Sequence, residues 1–506
     1  MAFYVTTPIY YVNAAPHLGH AYTTIGADIL ARHHRQRGED VFFLTGTDEH
    51  GEPVARVAEA EGITPKELAD RNAQRFLDLL PRINVSNDFF IRTSDPRHKR
   101  RVQEVMQRVH DNGHVYKDLY EGWYCPRCAD FKTEGEIGPG NTCMIHVGTP
   151  LDREREENWF FRLSTFEQPL KELYAQRPDF VAPRSRYNEA LAFINGGLQD
   201  VSLSRAKLTW GVEVPWDEGH VFYVWFDALL NYYTALSFAR DGEDLTELFW
   251  PARYHVLGKD ILKFHAVFWP ALLMAADIAV PERELIHGFL LMRDASGAES
   301  KMSKSLGNVL DPFEVMDKFG TDALRFYCFR EVSFGHDGGV STTTFGERYE
   351  SELANDYGNL ASRTLAMIGR YRDGVVPDVG VDPELAPDFD GLVEQVSELL
   401  DRAEITQALD RIWQRVRRLN RYVEERAPWQ LAKDEAVASE LDVTLRSLAE
   451  GIRAVTVLLH PYMPETAAKL LAALGEEELA LESARFGARP GGGIVGELPQ
   501  LFPKPQ

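Results

Sequence analysis

The pattern of hydrophobic and polar positions changes regularly along the first part of the chain. Residues 3–6 and 41–44 are short apolar runs that predict buried strands. Between them, residues 21–38 place apolar side chains at helical spacing, and Gly38 marks the end of the predicted helix. Since a strand, a helix and a second strand follow one another, this part predicts a doubly wound, Rossmann-like parallel sheet.

The alternation of strands and helices stops and later resumes, which predicts an α/β domain divided by an insert. Residues 114–219 are irregular and rich in Cys, Gly, Pro and aromatic residues, whereas later residues again predict strands followed by helices. From residue 349 the chain has helical periodicity, which predicts an all-α C-terminal bundle ending in a Gly- and Pro-rich tail. The expected division is 1–113 and 220–294 for the two halves of the α/β domain, 114–219 for the insert, 295–348 for a connecting region, and 349–506 for the helical domain.

Composition narrows the class of protein. The chain has 506 residues, 44% of them hydrophobic, and a formal net charge of -22. An acidic balance argues against general, sequence-blind binding of nucleic acid, although it leaves room for a local basic patch. No apolar run reaches the roughly 18–20 residues that span a bilayer, and the N-terminus does not read as a signal peptide. We therefore expect a cytoplasmic protein without a membrane segment.

Two histidines enclose a glycine at the start of the first predicted helix, in the string PHLGH. His17 and His20 are three positions apart and so share a helical face, and Gly19 allows a close approach to the backbone. A helix N-terminus attracts phosphate, and two imidazoles there can donate hydrogen bonds to it. By itself the pair is more typical of two partly buried histidines that cap a helix.

A second short motif, SKMSKSLGN, lies after the last predicted strand of the α/β domain. Lys301 and Lys304 can reach phosphate groups as point charges, although most loops of this composition are solvated surface. Together, PHLGH and KMSKS resemble the two signature motifs of the class I aminoacyl-tRNA synthetases. The strings TTPIYYVNAAPHLGH, TGTDEHG, YVWFDALLNYY, GKDILKFHAVFWPALL and KMSKSLGN resemble the methionyl-tRNA synthetase family over nearly the whole chain.

An aromatic pocket is the candidate site for the amino acid. Trp225 and Tyr232 are seven positions apart, which puts them on one face of a helix. Further candidates follow strands of the sheet: Ile9, Tyr11, Asp48, Ile286 and His287. Such a pocket suits a polarizable thioether, and Asp48 can hold an ammonium group. The resemblance implies that Ile9, Asp48, Trp225, Tyr232 and His287 line the methionine site. It also implies that Gly258, Asp260 and Ile261 lie beside the adenosine.

Three of the four cysteines lie in the insert, with spacing typical of a zinc site. Cys125 and Cys128 form one Cys-x2-Cys pair, and Cys143 with His146 forms a Cys-x2-His pair. Four such ligands fill a tetrahedral Zn²⁺ site, so we expect one structural zinc. The same spacing is compatible with reduced, buried thiols. The family agrees with zinc, because its members carry one or two knuckles in this insert.

The helical region supplies a candidate surface for RNA. Arg411, Arg415, Arg418 and Arg421 recur at helical spacing, which predicts a basic stripe that either contacts tRNA or pairs with nearby glutamates. The resemblance implies that Asn359, Arg363, Pro428 and Trp429 read the CAU anticodon. It also assigns residues 295–348 to contact with the tRNA stem.

These features predict an enzyme that activates L-methionine with ATP and Mg²⁺ and then transfers it to initiator and elongator tRNA(Met). The catalytic candidates are His17, His20, Lys301 and Lys304. We weighed three alternatives: a class I synthetase for leucine or valine, a nucleotidylyltransferase without a tRNA step, and a tRNA-binding module without catalysis. The insert is too short for a leucine or valine synthetase. The helical domain argues against a nucleotidylyltransferase, and the intact motifs argue against a module without catalysis. We expect a monomer.

Overall fold

A parallel sheet of six strands forms the centre of the α/β domain. The computed structural model describes residues 2–13, 15–126, 130–132, 134–145, 148–293, 299–301 and 311–504. The first half of the domain contains β1 (Ala2–Tyr11), α1 (Leu18–Gln36), β2 (Asp40–Asp48), α2 (Glu52–Glu61), α3 (Pro65–Arg82), β3 (Phe89–Arg92) and α4 (Pro96–Asp111). Strand β2 is buried from its second residue to its last, as expected for a parallel strand covered on both faces. The predicted Rossmann-like fold is confirmed.

The insert forms an antiparallel sheet, and one of its later strands joins the six-stranded parallel sheet of the α/β domain. It contains β4 (Val115–Cys125), β5 (Asp130–Lys132), β6 (Ile137–Gly138), β7 (Thr142–Cys143), β8 (Asp152–Phe161), α5 (Glu167–Gln176), β9 (Val181–Ala182), α6 (Arg184–Asn195), β10 (Val201–Ser202) and β11 (Ser204–Arg205). Strands β10, β8, β4 and β5 form the antiparallel sheet in that order. Strand β9 instead joins the edge of the parallel sheet, so the stretch expected to be a separate insert also completes the α/β core.

The second half of the α/β domain supplies two central strands. It contains β12 (Val221–Phe222), α7 (Val224–Thr234), α8 (Thr246–Phe249), β13 (Tyr254–Gly258), a π-helical turn (Phe264–Phe268), α9 (Trp269–Ala275) and β14 (Arg283–His287). The strand order is β3-β2-β1-β13-β14-β9, and every pairing in it is parallel. The order reverses between β1 and β13, and ligands of such sheets bind at the carboxyl ends of the strands beside this switch point.

A small connecting region follows the sheet. It contains β15 (Leu290–Arg293), β16 (Glu299–Lys301), α10 (Pro312–Phe319), α11 (Thr321–Glu331), β17 (Gly338–Val340), α12 (Thr342–Arg348) and a π-helical segment (Tyr349–Gly358). Strand β15 pairs with both β16 and β17. Lys301 is the last residue of β16, whereas Lys304 lies outside the described residues.

Six helices form the C-terminal domain in the described part of the chain. They are α13 (Asn359–Arg372), α14 (Leu392–Asp401), α15 (Ile405–Arg426), α16 (Pro428–Leu431), α17 (Ala438–Leu459) and α18 (Pro464–Ala473). Most of their buried side chains belong to one core with those of α1 and α11, and a smaller cluster joins Ile368 of α13 to Leu441, Leu445 and Ala449 of α17. None of the described helices is both long and apolar enough to cross a membrane.

A buried arginine joins the helical domain to the sheet domain. Arg325 of α11 donates to Asp28 of α1 over 2.7 Å and to the carbonyl oxygens of Pro461 and Tyr462 over 2.7 and 3.0 Å. All of its guanidinium is buried, so these acceptors replace the water that it has lost. Helix α1 is therefore anchored to the C-terminal domain at Asp28.

Candidate active site

The two histidines of PHLGH cap α1 through their Nδ1 atoms. The N–H of Gly19 donates to Nδ1 of His17, and the N–H of His17 donates to Nδ1 of His20, each over 3.1 Å. The rings are stacked with their centroids 3.8 Å apart. Since both Nδ1 atoms accept, each neutral ring carries its proton on Nε2. The capping and phosphate-binding interpretations are therefore compatible, because the cap uses Nδ1, whereas phosphate would bind at Nε2 on the other side of each ring.

Gly19 is required by the histidine ring beside it. A Cβ atom at position 19 would lie 2.9 Å from Cε1 of His17, closer than real Cβ contacts come. The glycine thus lets the ring of His17 fold over the first turn of α1. This local reason differs from the expected one, which was the approach of a ligand to the backbone.

Asp48 ends β2 as a buried carboxylate, directly opposite Tyr11 at the end of β1. Asp48 is 3% exposed, and in the described part of the chain neither its Oδ1 atom nor the hydroxyl of Tyr11 has a hydrogen-bond partner. Burial raises the pKa of Asp48 well above its usual range, and the nearby carboxylate of Asp227 adds to this shift. A cation is the ligand that such a group lacks.

Two stacked aromatic rings and a hydrogen-bonded tyrosine form an aromatic wall. Trp225 stacks on Phe264 with the centroids 3.8 Å apart and the planes 4° apart. The hydroxyl of Tyr232 lies 2.8 Å from Nε2 of His265, whose Nδ1 lies 3.1 Å from the carbonyl oxygen of Ile261. Burial lowers the pKa of His265 to about 4, so the ring is neutral. Its Nδ1–H donates to the carbonyl oxygen, and its Nε2 therefore accepts from Tyr232.

Two histidines lie beside Tyr232: His265, which is hydrogen-bonded to its hydroxyl, and His255, whose ring centroid is 4.3 Å from that of Tyr232. Nδ1 of His287 lies 2.8 Å from the carbonyl oxygen of Gly288, and its Nε2 lies 2.8 Å from the hydroxyl of Thr23 on α1. In the part of the chain that the structure describes, no hydrogen bond or ring contact joins His287 to Trp225 or Tyr232. His287 contacts α1 because β14 ends beside that helix, and its place in the methionine site stays a prediction. Phe264 and His265 were missed, and α-helical spacing gives no signal for them, because both lie in a π-helical turn.

The remaining pocket candidates lie at the ends of the central strands. Ile9 and Tyr11 are half-buried at the end of β1 and pack, like Ile261, against the core that contains Ile286 and Tyr232. Gly258 is the last residue of β13, and a Cβ there would lie 2.6 Å from Oδ1 of Asp260. The glycine therefore allows the carboxylate of Asp260 to turn back over the strand end.

The predicted zinc ligands are described only in part. Cys125 and Cys143 are buried in one small cluster with Leu151, against which Trp123 packs. Cys128 and His146 lie outside the described residues, and among the described ones no group of three ligands that could hold a metal occurs. Two thiols that meet in one cluster fit the donor set of a zinc knuckle.

The anticodon candidates lie near one end of the helical domain. Asn359 begins α13, and Arg363 one turn later donates to Glu424 and Asn420 near the end of α15, each over 3.2 Å. Pro428 and Trp429 follow α15 directly. Pro428 is buried, whereas Trp429 is 36% exposed and so presents an aromatic surface.

The predicted arginine stripe is not an open basic face. Arg418 pairs with Asp388 and Glu425 over 2.6 and 3.0 Å, and Arg415 is half-buried, with a pKa lowered by burial. The expectation that this stripe contacts the tRNA backbone is therefore weakened, because a neutralised side chain contributes little to phosphate binding.

Comparison with known proteins agrees with this geometry. Residues 3–143 and 137–365 match the family model "tRNA synthetases class I (M)", and residues 378–487 match "Anticodon binding domain of methionyl tRNA ligase". A methionine--tRNA ligase of Caldanaerobacter subterraneus is 43% identical over 99% of this chain and 78% of its own length. One of Streptomyces coelicolor is 44% identical over 99% and 96%.

A solved structure has the same fold over its whole length. Mycobacterium tuberculosis methionyl-tRNA synthetase in complex with methionyl-adenylate superposes with a TM-score of 0.94 and 41% identity, covering 99% of each chain. The ligand-free form of that enzyme gives a TM-score of 0.87. The chain therefore belongs to the class I tRNA synthetases, within the methionyl-tRNA synthetase family.

Proposed function

We propose that this chain joins L-methionine to ATP, forming methionyl-adenylate and pyrophosphate, and then transfers the methionyl group to the 3′ end of tRNA(Met). The observation that carries this proposal is the buried carboxylate of Asp48 beside an aromatic wall. Asp48 lies close enough to Tyr232 to raise the pKa of its hydroxyl, although burial and Glu284 contribute more. Family membership supports the same reaction.

The amino acid is selected by charge at one end and by aromatic rings at the other. Asp48 holds the ammonium group, which supplies the partner that Oδ1 lacks. The thioether lies against Trp225 and Tyr232, where sulfur–aromatic contacts contribute roughly 0.3–1.5 kcal/mol. Ile9, Tyr11 and Ile286 are proposed to close the pocket, whereas the contacts of His287 favour a role beside α1.

ATP is proposed to lie across the N-terminus of α1. The Nε2–H groups of His17 and His20 donate to the phosphates, and the macrodipole of α1 adds positive potential there. Gly258, Asp260 and Ile261 are the proposed neighbours of the adenosine. Lys301 and Lys304 are proposed to hold the leaving pyrophosphate as point charges. Mg²⁺ would enter with the triphosphate and would supply positive charge there.

Zinc is proposed to be structural, with Cys125, Cys128, Cys143 and His146 as its four ligands. The burial of two of these thiols in one cluster supports this assignment. A closed site of four ligands leaves no position for substrate. Metal analysis of the purified protein should find about one zinc per chain, and a folded, active, zinc-free protein would refute the assignment.

The tRNA is proposed to bind the helical domain through its anticodon. Asn359, Arg363, Pro428 and Trp429 are the proposed readers of the CAU triplet in initiator and elongator tRNA(Met). The exposed ring of Trp429 supports stacking with an unpaired base. The division into 1–113, 114–219, 220–294, 295–348 and 349–506, the monomeric state and the cytoplasmic location stay predictions.

Amino-acid-dependent exchange of labelled pyrophosphate into ATP tests the proposal. Methionine should support exchange far better than any other standard amino acid. The ammonium group of any of them can pair with Asp48, but only the methionine side chain fills the aromatic pocket. Equal or better exchange with leucine or valine would overturn the assignment.

A further inference from the structure

A fully buried aspartate behind the aromatic wall binds two histidines. Oδ2 of Asp227 lies 2.6 Å from Nδ1 of His50, and Oδ1 lies 2.8 Å from Nε2 of His98. Burial alone would raise the pKa of Asp227, but the two imidazoles outweigh it and hold that pKa at about 2. Asp227 is therefore an anion, and both histidines donate to it.

The three residues come from three separate elements. Asp227 lies in the first turns of α7, and His98 lies in the first turn of α4. His50 lies in the loop after β2, two residues beyond Asp48. The other ring nitrogen of His98, Nδ1, lies 2.7 Å from the hydroxyl of Thr234 in the last turn of α7. Helix α7 is thus held near both of its ends by side chains of other elements.

The face of α7 that carries Asp227 and Thr234 lies opposite the face that carries Trp225 and Tyr232. Asp227 and Thr234 are seven positions apart, as are Trp225 and Tyr232, so each pair forms a stripe along the helix. The two stripes are offset by two residues, which is about 200° around an α-helix. Fixing the first stripe therefore fixes the rotation of α7, and with it the direction in which Trp225 and Tyr232 point.

We propose that Asp227 is a positioning residue for methionine: through His50 and His98 it holds the aromatic stripe of α7 in register with Asp48. The inference rests on the proposed function, because it deepens the account of the same amino-acid site. Asp227 does not touch the substrate in this account. It acts through the loop of His50 on one side of the pocket and through α7 on the other.

The Asp227→Asn variant tests this positioning role. An amide accepts at one atom only, so one of the two histidines must change its tautomer or lose its bond. In pyrophosphate exchange, kcat/KM for methionine should fall about 10- to 100-fold, since small displacements of positioning groups have effects of this size. KM for ATP should stay within about twofold, because α7 does not carry the phosphate-binding histidines. As a matched control, Asp217→Asn removes an ion-paired aspartate of the insert and should leave both parameters unchanged.

A pair of His50 variants keeps the test independent of how well Asp227→Asn folds. In His50→Asn the amide nitrogen takes the place of Nδ1 and can still donate to Asp227, whereas His50→Ala has no donor. His50→Asn should therefore retain most of the methionine kcat/KM, and His50→Ala should lose it as Asp227→Asn does. Methionine parameters within twofold of wild type in both Asp227→Asn and His50→Ala would overturn the inference. So would an equal loss for methionine and ATP. A wild-type protein without methionine-dependent exchange would instead overturn the proposed function.

Discussion

Replacing Asp48 by Asn removes the buried charge that is proposed to bind the substrate ammonium. The carboxylate is 3% exposed, and its Oδ1 atom has no hydrogen-bond partner among the described residues. A hydrogen bond to a charged partner contributes about 1.5–3 kcal/mol. Because each 1.36 kcal/mol corresponds to a factor of ten, kcat/KM for methionine should fall about 10- to 150-fold in Asp48→Asn.

Whereas Asp48→Asn should lower activity, it should raise the stability of the folded protein relative to wild type as the pH rises. Burial, reinforced by Asp227, raises the pKa of Asp48 in the folded protein. The folded state therefore holds this proton at pH values where the unfolded chain has already lost it. The stability that results is present at acidic pH and is lost as the pH rises through the folded pKa. Asn does not titrate, so the Tm of Asp48→Asn relative to wild type should rise between pH 5.5 and pH 8.

Two assays on the same protein preparations check these effects. Pyrophosphate exchange measures kcat/KM for methionine, and thermal unfolding without substrate at both pH values measures the change in stability. Asp217→Asn provides a flat control, because hydrogen bonds from Trp159 and Lys117 outweigh burial and lower the pKa of Asp217. Its carboxylate is ionised in the folded and the unfolded state between pH 5.5 and pH 8, so the Tm difference from wild type should not change over this range. An unchanged methionine kcat/KM in Asp48→Asn, or a Tm difference from wild type that does not change with pH, would refute the reasoning.

Four further substitutions, at three positions, separate the roles of other groups. His20→Asn keeps an acceptor for the N–H of His17 and removes the Nε2 donor, so kcat for exchange should fall about 10²- to 10³-fold at unchanged Tm. His20→Gln keeps a donor near the position of Nε2 but loses the cap. It should therefore lose less activity than His20→Asn and more stability, because the cap contributes about 0.5–2 kcal/mol. Tyr232→Phe leaves Nε2 of His265 without its donor and should raise KM for methionine about fivefold or more. Trp429→Ala should lower kcat/KM for tRNA about 5- to 150-fold in charging assays, because stacking on one base contributes about 1–3 kcal/mol, and should leave exchange unchanged.

The fold and part of the site were predictable because their signals are local. The β1–α1–β2 unit has clear periodicity, and parallel strands meet at their carboxyl ends. Asp48 ends β2 and His17 follows β1, its parallel neighbour, so both lie at the same edge of the sheet. Strand β9 was missed because two residues give no periodic pattern.

Other features depend on contacts between distant parts of the chain. The interaction of Asp227 with His50 and His98 joins residues 177 and 129 positions apart. His265 lies in a π-helical turn, where helical spacing no longer predicts which residues share a face. The spacing of the arginine stripe could not reveal the pairing of Arg418 with Asp388, because Asp388 lies on a different element, 30 positions away.

Charging of unfractionated tRNA with each standard amino acid in turn tests the central claim most directly. The reaction requires the amino-acid pocket, the ATP site and the helical domain to act together. The account predicts that methionine alone is attached, and that a tRNA transcript loses this charging when its CAU anticodon is changed. Comparable charging with another amino acid, or no charging with methionine by a folded protein supplied with Zn²⁺, would contradict the account.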